Sequence, residues 1–159
     1  MEIKNIIFDD FINYKLPSMT IEFPHCTFKC NKECGKEVCQ NVGMLLEPNV
    51  SMKTEDLIEL YIRDDLSQAI VCQGLEPFDS WEDLKNLIFL LRTAYNCEDY
   101  IIIYTGYNED ELQEQLNYLK LYNNIIVKFG RFIPDQKPHY DEILGVELAS
   151  NNQYAKKIC

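Results

Sequence analysis

Three short apolar runs, "QAIVCQG", "DYIIIYTGY" and "NIIVKFG", constrain this chain most, because one amphipathic helical segment separates each from the next. Runs of this length, rich in β-branched residues, read as buried strands. Ahead of them, "TEDLIELYI" reads as a helix in which Thr54 is placed to cap the start, with Glu55 and Asp56 at the positive end of the dipole. "SWEDLKNLIFLLRTAY" is the clearest helix. Ser80 with Asp83 suggests a capping box, and Trp81, Leu84, Ile88, Leu91 and Tyr95 recur at helical spacing. Asn108 is expected to cap "EDELQEQLNYLKLY", with Leu112, Leu116 and Leu119 on one face. Upstream, "SMTIEF" alternates Met19, Ile21 and Phe23 as a further strand.

Strands alternating with helices of this length imply βαβ units and a parallel sheet with right-handed crossovers. The expectation is an α/β fold with four strands running one way, near 19–23, 68–72, 100–104 and 124–129. A strand around "KNIIF" is expected to join them, in a direction that local pattern leaves open. At 159 residues, with no internal repeat, low-complexity tract or linker, residues 1–159 are expected to form one domain. In parallel α/β sheets ligands sit beyond the carboxyl ends of the strands. Those ends carry a cysteine-rich run, then "QGLEP", "YTGY" and "GRFIP".

The run "HCTFKCNKECGKEVCQN" holds Cys26, Cys30, Cys34 and Cys39, while Cys72, Cys97 and Cys159 lie elsewhere. Seven cysteines cannot all pair internally. The opening "MEIKNIIFDDFINYK" does not read as an export signal, and no run approaches the roughly 20 apolar residues of a membrane span. The expected setting is therefore reducing cytoplasm, where dense thiols read as metal-binding or catalytic rather than as disulfides. A net charge of −11 argues against a nucleic-acid partner. Zinc sites favour close C-x2-C pairs, which this run lacks, although Cys72 is a conceivable extra ligand. The C-x-x-C spacing of a thiol redox pair is absent too. An iron–sulfur cluster held by thiolates fits the run better.

The C-x3-C of Cys26 and Cys30, in a loop after the first parallel strand, resembles the signature of radical S-adenosylmethionine enzymes. Gly74, Leu75, Glu76 and Pro77 resemble that superfamily's G-G-E-P, with Leu75 replacing the second glycine. That replacement leaves a backbone donor but narrows the approach. Chain length, "IYTGY", "GRFIP" and the tail "LASNNQYAKKI" resemble the small activating proteins of anaerobic ribonucleoside-triphosphate reductase.

The resemblance implies a partial (βα) barrel and a [4Fe–4S] cluster held by three cysteines, its fourth iron open to S-adenosylmethionine. The third family cysteine would fall at Glu33, so either Cys34 or Cys39 takes its place. Val38 and Asn41 match the family's apolar residue before that cysteine and the Asn after it, which favours Cys26, Cys30 and Cys39. Contacts to S-adenosylmethionine are then implied at Val38, Gln40, Gly74, Leu75 and Glu76. The implied chemistry is reductive cleavage to a 5′-deoxyadenosyl radical, which takes hydrogen from a glycine of the reductase large subunit. A small donor such as flavodoxin would supply the electron, and no acid–base pair is required. His25 is expected either to stand behind a ligand or to be solvated, Tyr104 and Tyr107 to flank Thr105-Gly106 on the rim, and Cys97 and Cys159 to be incidental thiols.

Overall fold

From the N-terminus the chain forms β1 (Glu2–Ile3), β2 (Asn5–Asp10), β3 (Ser18–Phe23) and a short α1 (Lys29–Cys34). It continues through β4 (Val50–Ser51), α2 (Thr54–Ile62), β5 (Ala69–Gly74), α3 (Trp81–Thr93), β6 (Tyr100–Tyr104) and α4 (Gln113–Leu119). It ends with β7 (Ile125–Phe129), β8 (His139–Asp141), β9 (Val146–Leu148) and β10 (Tyr154–Lys157). This architecture comes from a computed structural model that describes residues 1–159.

Six strands form one sheet in the order β10-β7-β6-β5-β3-β2. The four strands expected to run in one direction do so, since β3 pairs parallel with β5, β5 with β6, and β6 with β7. The strand of unread direction, β2, is antiparallel to β3. Parallel strands need a crossover of a dozen or more residues, and the 11–17 connection is too short for one. The sheet is open, with β2 and β10 as its edges. Neither β10, antiparallel to β7, nor the β8–β9 hairpin was legible beforehand.

Helices cover one face of the sheet. Ile70, Cys72, Ile101, Ile103, Ile125 and Val127 point there and pack with Leu57, Leu84, Leu87, Ile88 and Leu116. The alternate residues Val71, Ile102 and Ile126 point to a smaller core with Tyr14, Leu144, Leu148 and Ala155. The C-terminal segment and residues near Tyr14 thus cover the second face. Burial on both faces explains why these strands read as continuous apolar runs rather than as alternating ones.

Two expected caps are absent. Thr54 is the first helical residue of α2, and its buried hydroxyl accepts a hydrogen bond from Asn86 of α3 at 3.1 Å. Ser80 makes no capping bond, because the turn Pro77–Ser80 already winds into α3. The cap has moved upstream to Glu76, whose carboxylate accepts from the Phe78 N–H at 3.2 Å. Asp83 instead accepts from the Glu2 N–H at 3.2 Å. At the other helix Asn108 stands at the cap position as expected, but the side-chain bond there is made by Glu111, which accepts from the Asn108 N–H at 2.8 Å; Leu112, Leu116 and Leu119 are buried as expected.

Candidate functional site

The carboxyl ends of β3, β5, β6 and β7 open onto a cavity of about 350 Å³. Its lining includes Cys26, Cys30, Cys39, Gln40, Gly74, Leu75, Glu76, Thr105 and Gly130. Cys34 does not line it; with Cys30, which borders both, it lines a second cavity of about 240 Å³ beside Glu33, Asn108, Arg131 and Ile133. Val38 lies outside the main lining, half-buried, and its N–H donates to Asn31 at 2.9 Å. Cys72 is fully buried among the helix-facing core residues, so it cannot serve as the extra ligand considered from sequence. His25 is exposed, 3.8 Å from Glu2.

Local geometry explains which thiols meet. Phe28 in the left-handed region starts α1, and Gly35 in the same region ends it. The chain then doubles back, and Asn31 secures the return by accepting from the Cys39 N–H at 2.9 Å as well as from Val38. The Cys30 thiol also donates to Asn31 Oδ1, at 3.7 Å. Asn31 thus gathers Cys30 and Cys39, and this side chain gave no signal in the sequence.

Gly74 has φ +103, and a Cβ there would lie 2.7 Å from the Phe23 nitrogen, so no other residue fits the close approach of β5 to β3. Its carbonyl accepts from Asn41 Nδ2 at 2.8 Å, which ties the cysteine run to the glycine turn. The Leu75 N–H, read from sequence as an intact donor, is bonded to the Phe23 carbonyl at 3.2 Å. Glu76 is 4 % exposed and its carboxylate accepts from Thr105 Oγ1 at 2.7 Å and the Gly106 N–H at 2.9 Å. It braces the β6 loop against the β5 loop.

Sequence reasoning also missed the cations of this rim. Arg131, 6 % exposed, bonds Glu111 at 2.7 Å and stands 3.3 Å from Glu33 of α1. The Arg131 guanidinium holds the Glu111 carboxyl down at about 2. The buried Lys128 ammonium donates to the Gly130 carbonyl at 3.0 Å, and burial lowers its pKa to about 8. The tail closes the same loop: Gln153 donates to the Gly130 carbonyl at 3.2 Å and Asn152 to that of Arg131 at 2.8 Å.

Burial pushes the Cys26 thiol up to about 12, with the charges of Glu76, Asp79 and Cys30 adding to the effect. Burial, then Cys39, raises Cys30. Both groups are therefore protonated near neutrality, and metal binding must displace those protons. No three His, Cys, Asp or Glu side chains converge on a single-ion site, the arrangement a mononuclear zinc ion needs. The donor set itself suits an iron–sulfur cluster, since the thiols of Cys26, Cys30 and Cys39 belong to residues that line one cavity.

The family of 4Fe-4S single cluster domains matches residues 19–154, from the second residue of β3 to the first of β10. The chain belongs to that family. No curated protein and no solved structure matches it. As a 4Fe-4S single cluster domain, the protein has one cluster to hold, and its thiols are unequal for that purpose. Cys97 and Cys159 lie outside the cavity and Cys72 is sealed in the core, which leaves the 26–39 run. No helix is long and apolar enough to cross a membrane.

Proposed function

We propose that the protein is a radical S-adenosylmethionine enzyme that generates a glycyl radical on the large subunit of an anaerobic ribonucleoside-triphosphate reductase. One observation carries this reading: Cys26, Cys30 and Cys39 share a cavity with Gly74 at the carboxyl ends of four parallel strands. That is the arrangement implied by the resemblance of "CTFKC" and "GLEP" to the superfamily's two signatures. A [4Fe–4S] cluster with three protein thiolates, together with S-adenosylmethionine, supplies one-electron reductive cleavage of a carbon–sulfur bond.

In this reading Cys26, Cys30 and Cys39 hold the iron. Gly74, Leu75 and Gln40 line the space for the methionyl and adenosyl groups, and Val38 stiffens the loop behind Cys39. Leu75 offers its side chain and carbonyl rather than its N–H, which Phe23 occupies. Glu76 acts by fixing Thr105 and Gly106, and its three hydrogen bonds leave it little capacity for a direct contact. The sheet is open and mostly parallel rather than closed, and this reading takes it as the scaffold of the partial (βα) barrel that the resemblance implies. The exposed Ile12 on the cavity wall marks a side left open for a protein loop. The electron would come from a small donor such as flavodoxin.

The test is anaerobic reconstitution, reduction and assay with S-adenosylmethionine. 5′-Deoxyadenosine should form slowly alone, and a glycyl radical should appear by electron paramagnetic resonance when the reductase is added. An intact reduced cluster that never cleaves S-adenosylmethionine would reduce the protein to a cluster-binding module. Cleavage without a glycyl signal would keep the chemistry and reject the partner.

A further inference from the structure

The cysteine run buries no residue of α1, yet its ligands must be held in place before any cluster can form. Phe28 adopts φ 53, a left-handed conformation that costs a non-glycine residue free energy and does not persist unless its surroundings enforce it. The Phe28 N–H points back at Cys26 Sγ, at 3.2 Å. Something outside the loop therefore has to secure the residue between them, and Asp79 does. Its Oδ2 accepts from the Thr27 N–H at 2.6 Å, and its Oδ1 accepts from the Tyr107 hydroxyl at 2.5 Å. That hydroxyl lies 3.4 Å from Thr27 Oγ1, which closes a triangle of three residues from three separate stretches of chain. The Tyr107 ring carries Lys29 Nζ at 4.3 Å from its centroid, so α1 leans on the same support.

We propose that Asp79 is the positioning residue of the cysteine run: it fixes the peptide between Cys26 and Thr27 and sets a negative charge beside the cluster. This rests on Cys26 being a cluster ligand, as argued above. Immobilising the Thr27 N–H immobilises the carbonyl side of Cys26 in the same planar peptide unit. The thiol then cannot swing away from the cavity when the loop breathes. The carboxylate's charge acts separately, because net charge and hydrogen bonding around a cluster set its reduction potential. A fixed anion opposes the arrival of an electron, so Asp79 makes the cluster a stronger reductant.

Two measurements separate these roles. In the reduced protein without cluster, iodoacetamide labelling followed by peptide mass analysis reads the exposure of each thiol. Because the Asp79 charge also raises the Cys26 thiol, the comparison is with Asp79→Asn, which lacks the charge but keeps an acceptor for the Thr27 N–H. Asp79→Ala should label Cys26 about fivefold faster than Asp79→Asn, the scale of one lost hydrogen bond, and leave Cys97 and Cys159 unchanged. Tyr107→Phe, which keeps the ring and loses only the hydroxyl, should move Cys26 the same way by less; it carries the test alone if Asp79→Ala fails to fold. In the reconstituted protein, Asp79→Asn keeps the shape and removes the charge, and the midpoint potential should shift positive. Tyr107→Phe, which keeps the charge, should leave the potential close to wild type. Equal Cys26 labelling in Asp79→Ala and Asp79→Asn, or unchanged labelling in Tyr107→Phe where that variant stands in, overturns the positioning role. An unchanged potential in Asp79→Asn overturns the electrostatic one. If the wild-type protein holds no cluster, the function proposed above fails, while the labelling arm still decides the positioning role.

Discussion

The three strands β5, β6 and β7 and the cysteine-bearing segment 24–47 are built on opposite principles. All five residues of β7 are buried, as are five of the six in β5. By contrast, α1 and the turn Val42–Leu46 bury none of theirs. Hydrophobic burial, worth about 1.5–3 kcal/mol for each large side chain, sets the strands. The segment that presents the thiols is set by single polar bonds from Asn31, Asn41, Asp79 and Arg131. A site held this way is separable from the fold that carries it.

The largest expected effect tests that separation directly. Cys26→Ala, Cys30→Ala and Cys39→Ala should each abolish the oxygen-sensitive absorbance of the reconstituted protein, while far-UV circular dichroism stays that of the wild type. Cys34→Ala should retain the absorbance, since that thiol lies off the main cavity. The reverse pattern would move the third ligand to Cys34.

Next come the changes that strike the scaffold. Ile102, fully buried against the smaller core, should lose about 3 kcal/mol of stability on substitution by Ala in urea denaturation. Gly74→Ala should cost about 2–3 kcal/mol, because its Cβ meets the backbone of β3 and its φ is positive. Gly74 also bonds Asn41, so cluster loading should fall as well. Unchanged loading in folded Gly74→Ala would show that the glycine turn serves the sheet alone.

A smaller effect comes from the carboxyl that joins the two regions. Burial raises Glu76 from 4.5 to about 7, against the hydrogen bonds from Gly106 and Thr105. The folded protein therefore holds this proton more tightly than the unfolded chain does. The stabilisation is fully present below pH 4.5 and is lost as pH rises through about 7, a change on the order of 3 kcal/mol at most. Urea denaturation midpoints measured from pH 4.5 to 7.5 should fall for the wild type, and Glu76→Gln should flatten that slope. Equal slopes would place the raised pKa elsewhere. Least of all, Arg63→Ala breaks an exposed pair with Glu59 and should change stability by no more than about 0.5 kcal/mol.

Much of the scaffold was legible because its signals are local. A run such as "YIIIY" states its own burial, and Leu112, Leu116 and Leu119 state the inward face of their helix within eight residues. The two failed caps show the limit of that logic. Ser80 and Thr54 are good capping residues by type, but the chain reaches each in a geometry decided by the turn from Glu76 and by the neighbour Asn86.

The sequence by itself determined the common direction of four strands, the inward faces of the helices and the rim on which the cysteine run and the glycine turn meet. All of these follow from periodicity, length and topology, which are properties of contiguous residues. Tertiary structure alone decided that β2 runs antiparallel, that the tail closes over Gly130 and that the Leu75 N–H is taken by Phe23. It also supplied Asn31, the side chain that brings Cys39, already favoured over Cys34 by Val38 and Asn41, beside Cys30. Each of these depends on one polar group meeting another elsewhere along the chain, as Asp79 meets Thr27, and a solitary contact leaves no period in the sequence to read.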